Sequence, residues 1–556
     1  MNKPSHEIAA EKPAPRRGPL LLYLLLTAAS VVMLSLSLPG YEQWYLSFFS
    51  LVPILFVLQR ATPRAGALVF WLAGFLFFLL AVSWISHLSI IGWVMLAFFL
   101  SLPFPLAALL IRLLTTGRPR LPFVLGAPLV WVTMEFLRGL PIGEFCWQYM
   151  GHALYRQTTL IQLADFSGVC GVSFVLVTVN ALLARVVYLG WSGERRRGLR
   201  AGLNCLYVGL LLLGTVGYGR HRIDETRPIP GPSISVVQGN IPQELKEYAQ
   251  SYTWEEVLEK RRTIVTKYET LTARLFGVKD DMVVWPETIV PYLEGERYGS
   301  EDYSAAAEKR VREMRRKLGR PFLTGSVKLV HDSAGERSYN AAYYFPTTDG
   351  PFQVYLKIHL VPFGEYMPLG SVGWIRNVLQ RFMPPGYEAT LSAGTARVLF
   401  RLDDVPFATP ICYEDTTPSL IWTFTRMGAR FIVNLTNDGW FRDTPELDQH
   451  LANSVFRTVE NRIGLVRAAN TGISGFVTPT GVITSFIADE RTGRCREVEG
   501  VLTDRVWLDD RRTFYTAHGD LFARTALGFV TLLGLVRSGL SLRKRSRPKA
   551  LDVKDL

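Results

Sequence analysis

Phe352-Gln-Val-Tyr-Leu-Lys357-Ile-His-Leu-Val-Pro-Phe-Gly-Glu365-Tyr366 decides how the second half of the chain is read. Its first five residues have the aromatic and β-branched character of a strand. The strand stops on a charge at Lys357, and Pro362 and Gly364 then turn the chain ahead of Glu365. A lysine at a strand end ordinarily runs its apolar stem along the protein and keeps its ammonium in water. His359 reads as a structural hydrogen-bonding residue without a chemical role.

Two other strand ends carry reactive side chains. In Asp281-Met-Val-Val-Trp-Pro-Glu287 the proline ends the ladder and leaves Glu287 just beyond a short apolar strand. In Pro406-Phe-Ala-Thr-Pro-Ile-Cys412-Tyr-Glu-Asp415 a cysteine stands where the apolar run gives way to polar residues, the placement of a nucleophile elbow. A free thiol has a pKa of about 8.5, so reaction at neutral pH requires a base or a cation beside it. Glu287 offers the first and Lys357 the second. Taken singly, each has an ordinary alternative: a solvated loop carboxylate, a strand-end charge, an inert buried thiol. Spacing alone does not bring them together in space.

Working outward, Ile234–Gly239, Phe322–Leu329, Ala341–Phe345, Phe431–Leu435, Leu465–Ala469 and Ser474–Val477 read as further strands. Trp254–Phe276, Ser304–Leu318 and His450–Asn461 read as helices. Strands interleaved with helices predict an α/β layered domain over 221–519.

The flanks are of another kind. The 556 residues are 49% hydrophobic and 20% charged, too apolar for a disordered chain, and the apolar residues are concentrated before 220 and after 520. Eight runs are candidate membrane helices, near 20–38, 44–58, 65–86, 88–111, 122–138, 168–190, 201–219 and 520–538, the second and last marginal against the ~20 residues needed to span. The chain thus divides into a segment 1–19, a seven-helix membrane domain 20–220, the domain 221–519, an eighth helix 520–538 and a basic tail 539–556.

Lys and Arg fall on alternate links. The five links on one side hold 21 basic residues against Glu7, Glu11, Glu194, Asp552 and Asp555, a net +16. The total is +13, so the remainder is −3, and the positive balance reflects membrane orientation rather than nucleic-acid binding. The basic side is expected in the cytoplasm and 221–519 outside. The first run also has features of a signal peptide; an uncleaved anchor is favoured for its length. With only Cys412 and Cys495 outside, one disulfide is possible and a disulfide framework is not. The eight histidines show no metal-ligand spacing, and no phosphate-binding glycine motif occurs.

The order W-P-E, K-x-H-L-V-P-F-G-E and I-C-Y-E, at Glu287, Lys357 and Cys412, resembles the nitrilase (carbon–nitrogen hydrolase) superfamily. With helices on both sides of the domain, the chain is similar to the bacterial apolipoprotein N-acyltransferase family. Val237-Gln-Gly-Asn-Ile-Pro-Gln243, Asn437-Asp-Gly-Trp-Phe441, Arg467-Ala-Ala-Asn-Thr-Gly-Ile473, Glu135-Phe-Leu-Arg-Gly139 and the Phe145–Tyr155 loop add to the likeness. The resemblance implies a membrane helical bundle carrying a nitrilase-like αββα sandwich.

It also implies a reaction. Glu287 would take the thiol proton, and Cys412 would attack an acyl ester of a phospholipid. Lys357 and the Tyr413 N–H would hold the oxyanion. The thioester would pass to the α-amino group of a diacylglyceryl apolipoprotein. Glu365 and Glu414 would orient Lys357 and hold the amine. No cofactor, metal or nucleic acid is expected, and the enzyme would be a monomer in the bacterial inner membrane, its catalytic domain periplasmic. Phe382–Gly386 would be a lid at the bilayer surface. Glu135 and Arg138 would either pair with each other or meet a lipid headgroup. Leu245-Lys-Glu247 stands where some relatives carry a tryptophan, and Trp254 lies further on. The rival readings are a membrane-tethered amidase using water as acceptor and a transporter with an external domain.

Overall fold

The computed structural model describes residues 20–545, apart from 118–119, 194–197, 247–252, 296, 299–300, 334, 348–349 and 368–390 (of which 373 and 377 are described). The expected lid Phe382–Gly386 and Glu247 lie outside the described residues. In the first half the helices are α1 (Leu20–Leu36), α2 (Val52–Arg60), α3 (Pro63–Ala81), α4 (Ile90–Ser101), α5 (Pro103–Thr115), α6 (Phe123–Gly139), α7 (Thr158–Ile161), α8 (Ala164–Ser192) and α9 (Gly198–Asp224). A last helix, Leu521–Arg545, follows the second domain and packs on α5, α6 and α8.

All eight apolar runs are helical, but they are not eight equal spans. Among the described residues six helical stretches are long and apolar enough to cross a membrane, with α4 and α5 counted as one. α1 is short, and the run at 44–58 is broken into a 3₁₀ turn, Trp44–Phe48, and α2. Backbone groups freed by a break in an apolar setting need internal partners. Asn180 of α8 supplies two of them, accepting from Leu51 N at 2.8 Å and donating to Ser47 O at 2.8 Å. Ser30 of α1 accepts from Ile54 N at 3.1 Å.

The second half is a two-sheet sandwich. One sheet runs β15 (Gly500–Leu508), β1 (Ile229–Gln238), β2 (Met282–Val284), β6 (Phe322–Asp332), β7 (Gly335–Phe345), β8 (Gln353–Leu356), with β3 (Val290–Glu294) also on β6. The other runs β14 (Ile483–Phe486), β13 (Gly475–Val477), β12 (Gly464–Ala469), β11 (Phe431–Thr436), β10 (Val405–Ala408), β9 (Phe400–Leu402). β4 (Arg297–Tyr298) and β5 (Glu301–Asp302) form a small hairpin. Centres are parallel and edges antiparallel: β1, β2 and β6 run together, as do β10, β11 and β12.

The period of two sorts the layers. Met282 and Val284 join the core between the sheets, with Tyr344, Phe407, Phe431 and Val433. Val283 faces the other way, into a layer with Trp285, Tyr268 and Met314 under helices Trp254–Thr272 and Tyr303–Leu318. Helix Glu446–Asn461 covers the second sheet, and every one of its residues is buried, because its far side packs on α8.

One close approach positions the site. Gly325 lies so near the Pro286–Thr288 turn that a Cβ there would stand 2.6 Å from Glu287 Cα. Gly325 N donates to Pro286 O at 3.0 Å, and Ile289 N donates to Gly325 O at 3.1 Å. Gly325→Ala should therefore cost roughly 1–3 kcal/mol, the usual price of overpacking. Thermal unfolding of the purified protein reads this directly, and an unchanged midpoint would show that the turn is free to move.

Candidate active site

Each of the three residues predicted from the sequence sits just beyond the end of a strand. Glu287 follows β2, Lys357 follows β8, and Cys412 opens a 3₁₀ turn, Cys412–Thr416, beyond β10. β10 stops at Ala408 rather than at Cys412 as expected, because Pro410 has no N–H to continue the ladder. Cys412 has φ of +51°, a left-handed conformation rare for a side-chain-bearing residue. Asn434 Nδ2 holds the turn through Cys412 O at 3.0 Å, and Ile411 bridges to Leu435 of β11.

Lys357 is fully buried. Its Nζ lies 2.7 Å from Glu365 Oε1 and 3.8 Å from Glu287 Oε1. Asn340, on β7, joins the two carboxylates, its Nδ2 donating to Glu287 Oε1 at 2.7 Å and to Glu365 Oε1 at 3.2 Å. Glu365 Oε2 accepts from Val361 N at 2.8 Å, closing its own turn. The Cys412 thiol interacts electrostatically with both Glu287 and Lys357. The three residues and Glu365 thus form one cluster.

Burial and charge set the protonation states. Burial raises the Glu287 carboxyl above the ordinary carboxylate range; Lys357 opposes this and Glu365 adds to it. Burial would lower the Lys357 ammonium, but Glu365, Cys412 and Glu287 outweigh it and hold the proton on. Burial, and then Glu287, push the Cys412 thiol well up, against the pull of Lys357. The resting cysteine is a thiol, and a base must act to make it a nucleophile.

Glu414 has a different place from the one expected. Its carboxylate accepts from Tyr355 Oη at 2.8 Å, Ile358 N at 2.7 Å, His359 N at 3.0 Å and Ile411 N at 2.8 Å. These bonds tie the Lys357 loop to the Cys412 turn, and none goes to Lys357. His359 contributes through its backbone. The Tyr413 ring is buried and stacks on Phe145 of the membrane half, centroids 6.3 Å apart.

Sequence reasoning missed Asn340, which carries no motif, and Lys246, whose Nζ donates to Glu287 O at 3.2 Å. Burial lowers Lys246 to about 8. It also missed a buried ionic group under the cysteine turn. His450 bonds Asp415 at 2.8 Å and Asp438 at 3.1 Å, and Arg467 bonds Asp415 at 3.1 Å and Asp438 at 2.7 Å. Asp438, Glu446 and His450 are close enough to share a cation. The Arg467 guanidinium already fills that role, with Nη2 2.9 Å from His450 Nδ1. Asp415, Asp438 and Arg467 stand in strings already singled out, and His450 on a predicted helix, but no spacing in the sequence joins them.

This arrangement is a carbon–nitrogen hydrolase domain set against a membrane bundle, and the comparisons agree. Residues 233–503 match the carbon-nitrogen hydrolase model, and residues 30–182 match the apolipoprotein N-acyltransferase N-terminal domain. The chain is 29% identical over 553 residues to the apolipoprotein N-acyltransferase of Geobacter metallireducens, covering 96% of each chain. It is 30% identical over 495 residues to that of Allorhizobium ampelinum, covering 83% of this chain and 87% of the other. A solved amidase from Nesterenkonia AN1, of the nitrilase superfamily, aligns with 55% of this chain and 98% of its own at 15% identity, with a TM-score of 0.34. The chain belongs to the apolipoprotein N-acyltransferase family.

The Glu414 bonds generate a test. Glu414→Leu orphans the buried Ile411 N–H and Tyr355 hydroxyl and the half-buried N–H groups of Ile358 and His359, a buried orphan costing roughly 1–3 kcal/mol. Chemical denaturation should show a loss of at least about 3 kcal/mol, with Glu414→Gln less affected. A Glu414→Leu protein as stable as wild type would remove the carboxylate from this structural role.

Proposed function

We propose that the chain transfers a fatty acyl group from a phospholipid, through a thioester at Cys412, to the α-amino group of the diacylglyceryl-cysteine of an apolipoprotein. The observation that carries this reading is the convergence of Glu287 and Lys357 on a positive-φ cysteine, at the edge of a domain packed onto membrane helices. Glu287 accepts the Cys412 proton as sulfur attacks the ester carbonyl. Lys357, held charged by Glu365, and the N–H of Tyr413 stabilise the oxyanion. The C–O bond breaks, Glu287 returns its proton to the departing lysophospholipid, and the thioester remains. The amine then attacks the thioester, Glu287 takes the amine proton and gives it to the Cys412 sulfur, and an amide is released. Glu365 acts by positioning Lys357, and Glu414 by holding the two loops together.

A membrane-tethered amidase would use the same cluster with water as the nucleophile of the second step. The membrane half, matched over 30–182 to a domain of the transferase family, favours the lipid amine. The deciding experiment is mass spectrometry of Cys412 after incubation with phospholipid. Glu287→Gln and Cys412→Ser should form no acyl-enzyme, and Lys357→Ala should lose roughly 10²–10³ in rate. Wild-type labelling of Glu287→Gln would remove Glu287 as the base.

The pH dependence has a definite sign. Glu287 must be ionised to act, and its carboxyl is raised above the ordinary value. Acylation should be full on the alkaline side of that pKa and fall as pH drops through it, so the acid limb lies above the usual carboxylate range of about 4.3. Asn340→Leu deletes a hydrogen bond that holds the pKa down. Its acid limb should move to higher pH, and a limb that stays put would assign it to another group.

The same reading places 221–519 in the periplasm of an inner-membrane protein, from the 21 basic residues on the other side. A reporter fused after residue 225 should be active only outside the cytoplasm, and one at the C-terminus only inside. Cytoplasmic activity of the first fusion would overturn this orientation.

A further inference from the structure

Thr436, the last residue of β11, is fully buried, and none of the steps above uses its hydroxyl. On this strand Phe431, Val433 and Leu435 enter the core between the sheets. The period of two puts Asn434 and Thr436 together on the other face. The Cys412 turn is fastened here: Asn434 Nδ2 donates to Pro410 O at 3.3 Å and to Cys412 O at 3.0 Å, and Ile411 bridges to Leu435. Asn434 thus fixes the backbone of the nucleophile. Thr436, two residues on, reaches its side chain and is within hydrogen-bonding range of the thiol. A valine has the shape of a threonine, so shape alone does not call for a hydroxyl at this buried position.

That hydroxyl has one hydrogen and two neighbouring acceptors. Its Oγ1 donates to Asp438 Oδ1 at 2.9 Å, in the 3₁₀ turn Asp438–Phe441 that follows the strand. Burial would raise the Asp438 carboxyl, but Arg467 and His450 outweigh it and hold it well below the ordinary carboxylate range. Asp438 is therefore an anion. The other acceptor is the Cys412 sulfur. A thiol sulfur accepts only weakly, so in the resting protein the carboxylate holds the hydrogen. A thiolate is a charged acceptor, and hydrogen bonds to ionised groups are the strong ones. Asp438 is not orphaned by losing the Thr436 hydrogen, because His450 Nδ1 stays 3.1 Å from Oδ1 and Arg467 Nη2 2.7 Å from Oδ2.

We propose that Thr436 is a further catalytic residue, whose hydroxyl turns from Asp438 to the Cys412 sulfur as Glu287 removes the thiol proton. One proton changes atoms, passing from sulfur to a Glu287 oxygen. The Thr436 hydrogen keeps its covalent bond to Oγ1 and changes only its acceptor. Because the new bond forms as charge develops on sulfur, it favours the reacting state over the resting one. The charged groups facing the sulfur are Glu287 from the turn after β2, Lys357 from the end of β8 and Asp438 from the turn after β11. Lys357 favours the thiolate and the two carboxylates oppose it, so a donor beside Asp438 offsets part of that carboxylate's effect. The inference rests on the proposed function in taking Cys412 as the nucleophile.

The test uses the full-length protein in detergent without lipid. Cys412 is partly exposed, and its alkylation by iodoacetamide is followed by mass spectrometry of the Cys412 peptide across a pH series. Alkylation reports the thiolate. Thr436→Val keeps the shape and deletes the hydroxyl. Its alkylation limb should move to higher pH by about one unit, the worth of one hydrogen bond to a charged sulfur less the bond given up at Asp438. With a fluorescent phospholipid added, acyl-enzyme formation should slow about tenfold for the same reason. Thr436→Ser returns the hydroxyl without the methyl and should restore both. If Thr436→Val fails to fold, Thr436→Ala set against Thr436→Ser makes the same comparison, since the two differ by the hydroxyl alone. An alkylation limb that stays in place without the hydroxyl overturns the proposal. So does an equal displacement in Thr436→Ser, which would trace the effect to packing of the methyl group. Failure of the wild-type protein to form acyl-enzyme would instead overturn the acyl-transfer reading, and the lipid-free limb would still judge Thr436.

Discussion

An ammonium group cut off from water must be surrounded by opposite charge, and Lys357 imposes that condition on everything near it. Glu365 sits in contact, Glu287 at the next remove, and Asn340 ties the two carboxylates together. The two acids keep the lysine protonated against the effect of burial, while burial raises the Glu287 carboxyl and the Cys412 thiol, the ammonium opposing it at both. Cys412 rests as a neutral thiol, with a carboxyl of raised pKa in the same cluster. The sandwich delivers these groups from the ends of β2, β8 and β10, and Gly325 lets the Glu287 turn come close enough to join them.

The loops need fixing as much as the charges do. Glu414 acts as a many-armed tie, binding backbone donors on both sides of the Lys357–Cys412 gap. Below it, Asp415 and Asp438 are held by His450 and Arg467. Isolated, any one of these buried charges would be destabilising; together they fix the geometry of the turn that carries the thiol.

Much of this was legible from residue patterns. Hydrophobic periodicity located the main strands and helices, usually to within a few residues, because those elements bury one definite face. Strand-end chemistry pointed to Glu287, Lys357 and Cys412. What periodicity could not give were the edge strands β9, β14 and β15, short or half-exposed, and the division of the 44–58 run. That break depends on Asn180, more than a hundred residues away. Asn340 was invisible for a related reason: an asparagine in a strand gains its meaning only from the two carboxylates that folding brings to it. The bracing bonds of Glu414 were invisible too, because the backbone donors it accepts from on the Lys357 loop are brought to it only by folding.

Helix Glu446–Asn461 joins the two halves. From it Gln449 accepts from the Trp84 and Trp147 indoles, and Glu460 accepts from Val169 N, while Arg462 just beyond meets Asp165. Both sides of this helix are interior. The globular half is therefore not a passenger that could be cut from its anchor: excision would turn a row of core residues, including buried charges, into a wet surface. Architecture of this kind makes the membrane helices a structural component of the second domain.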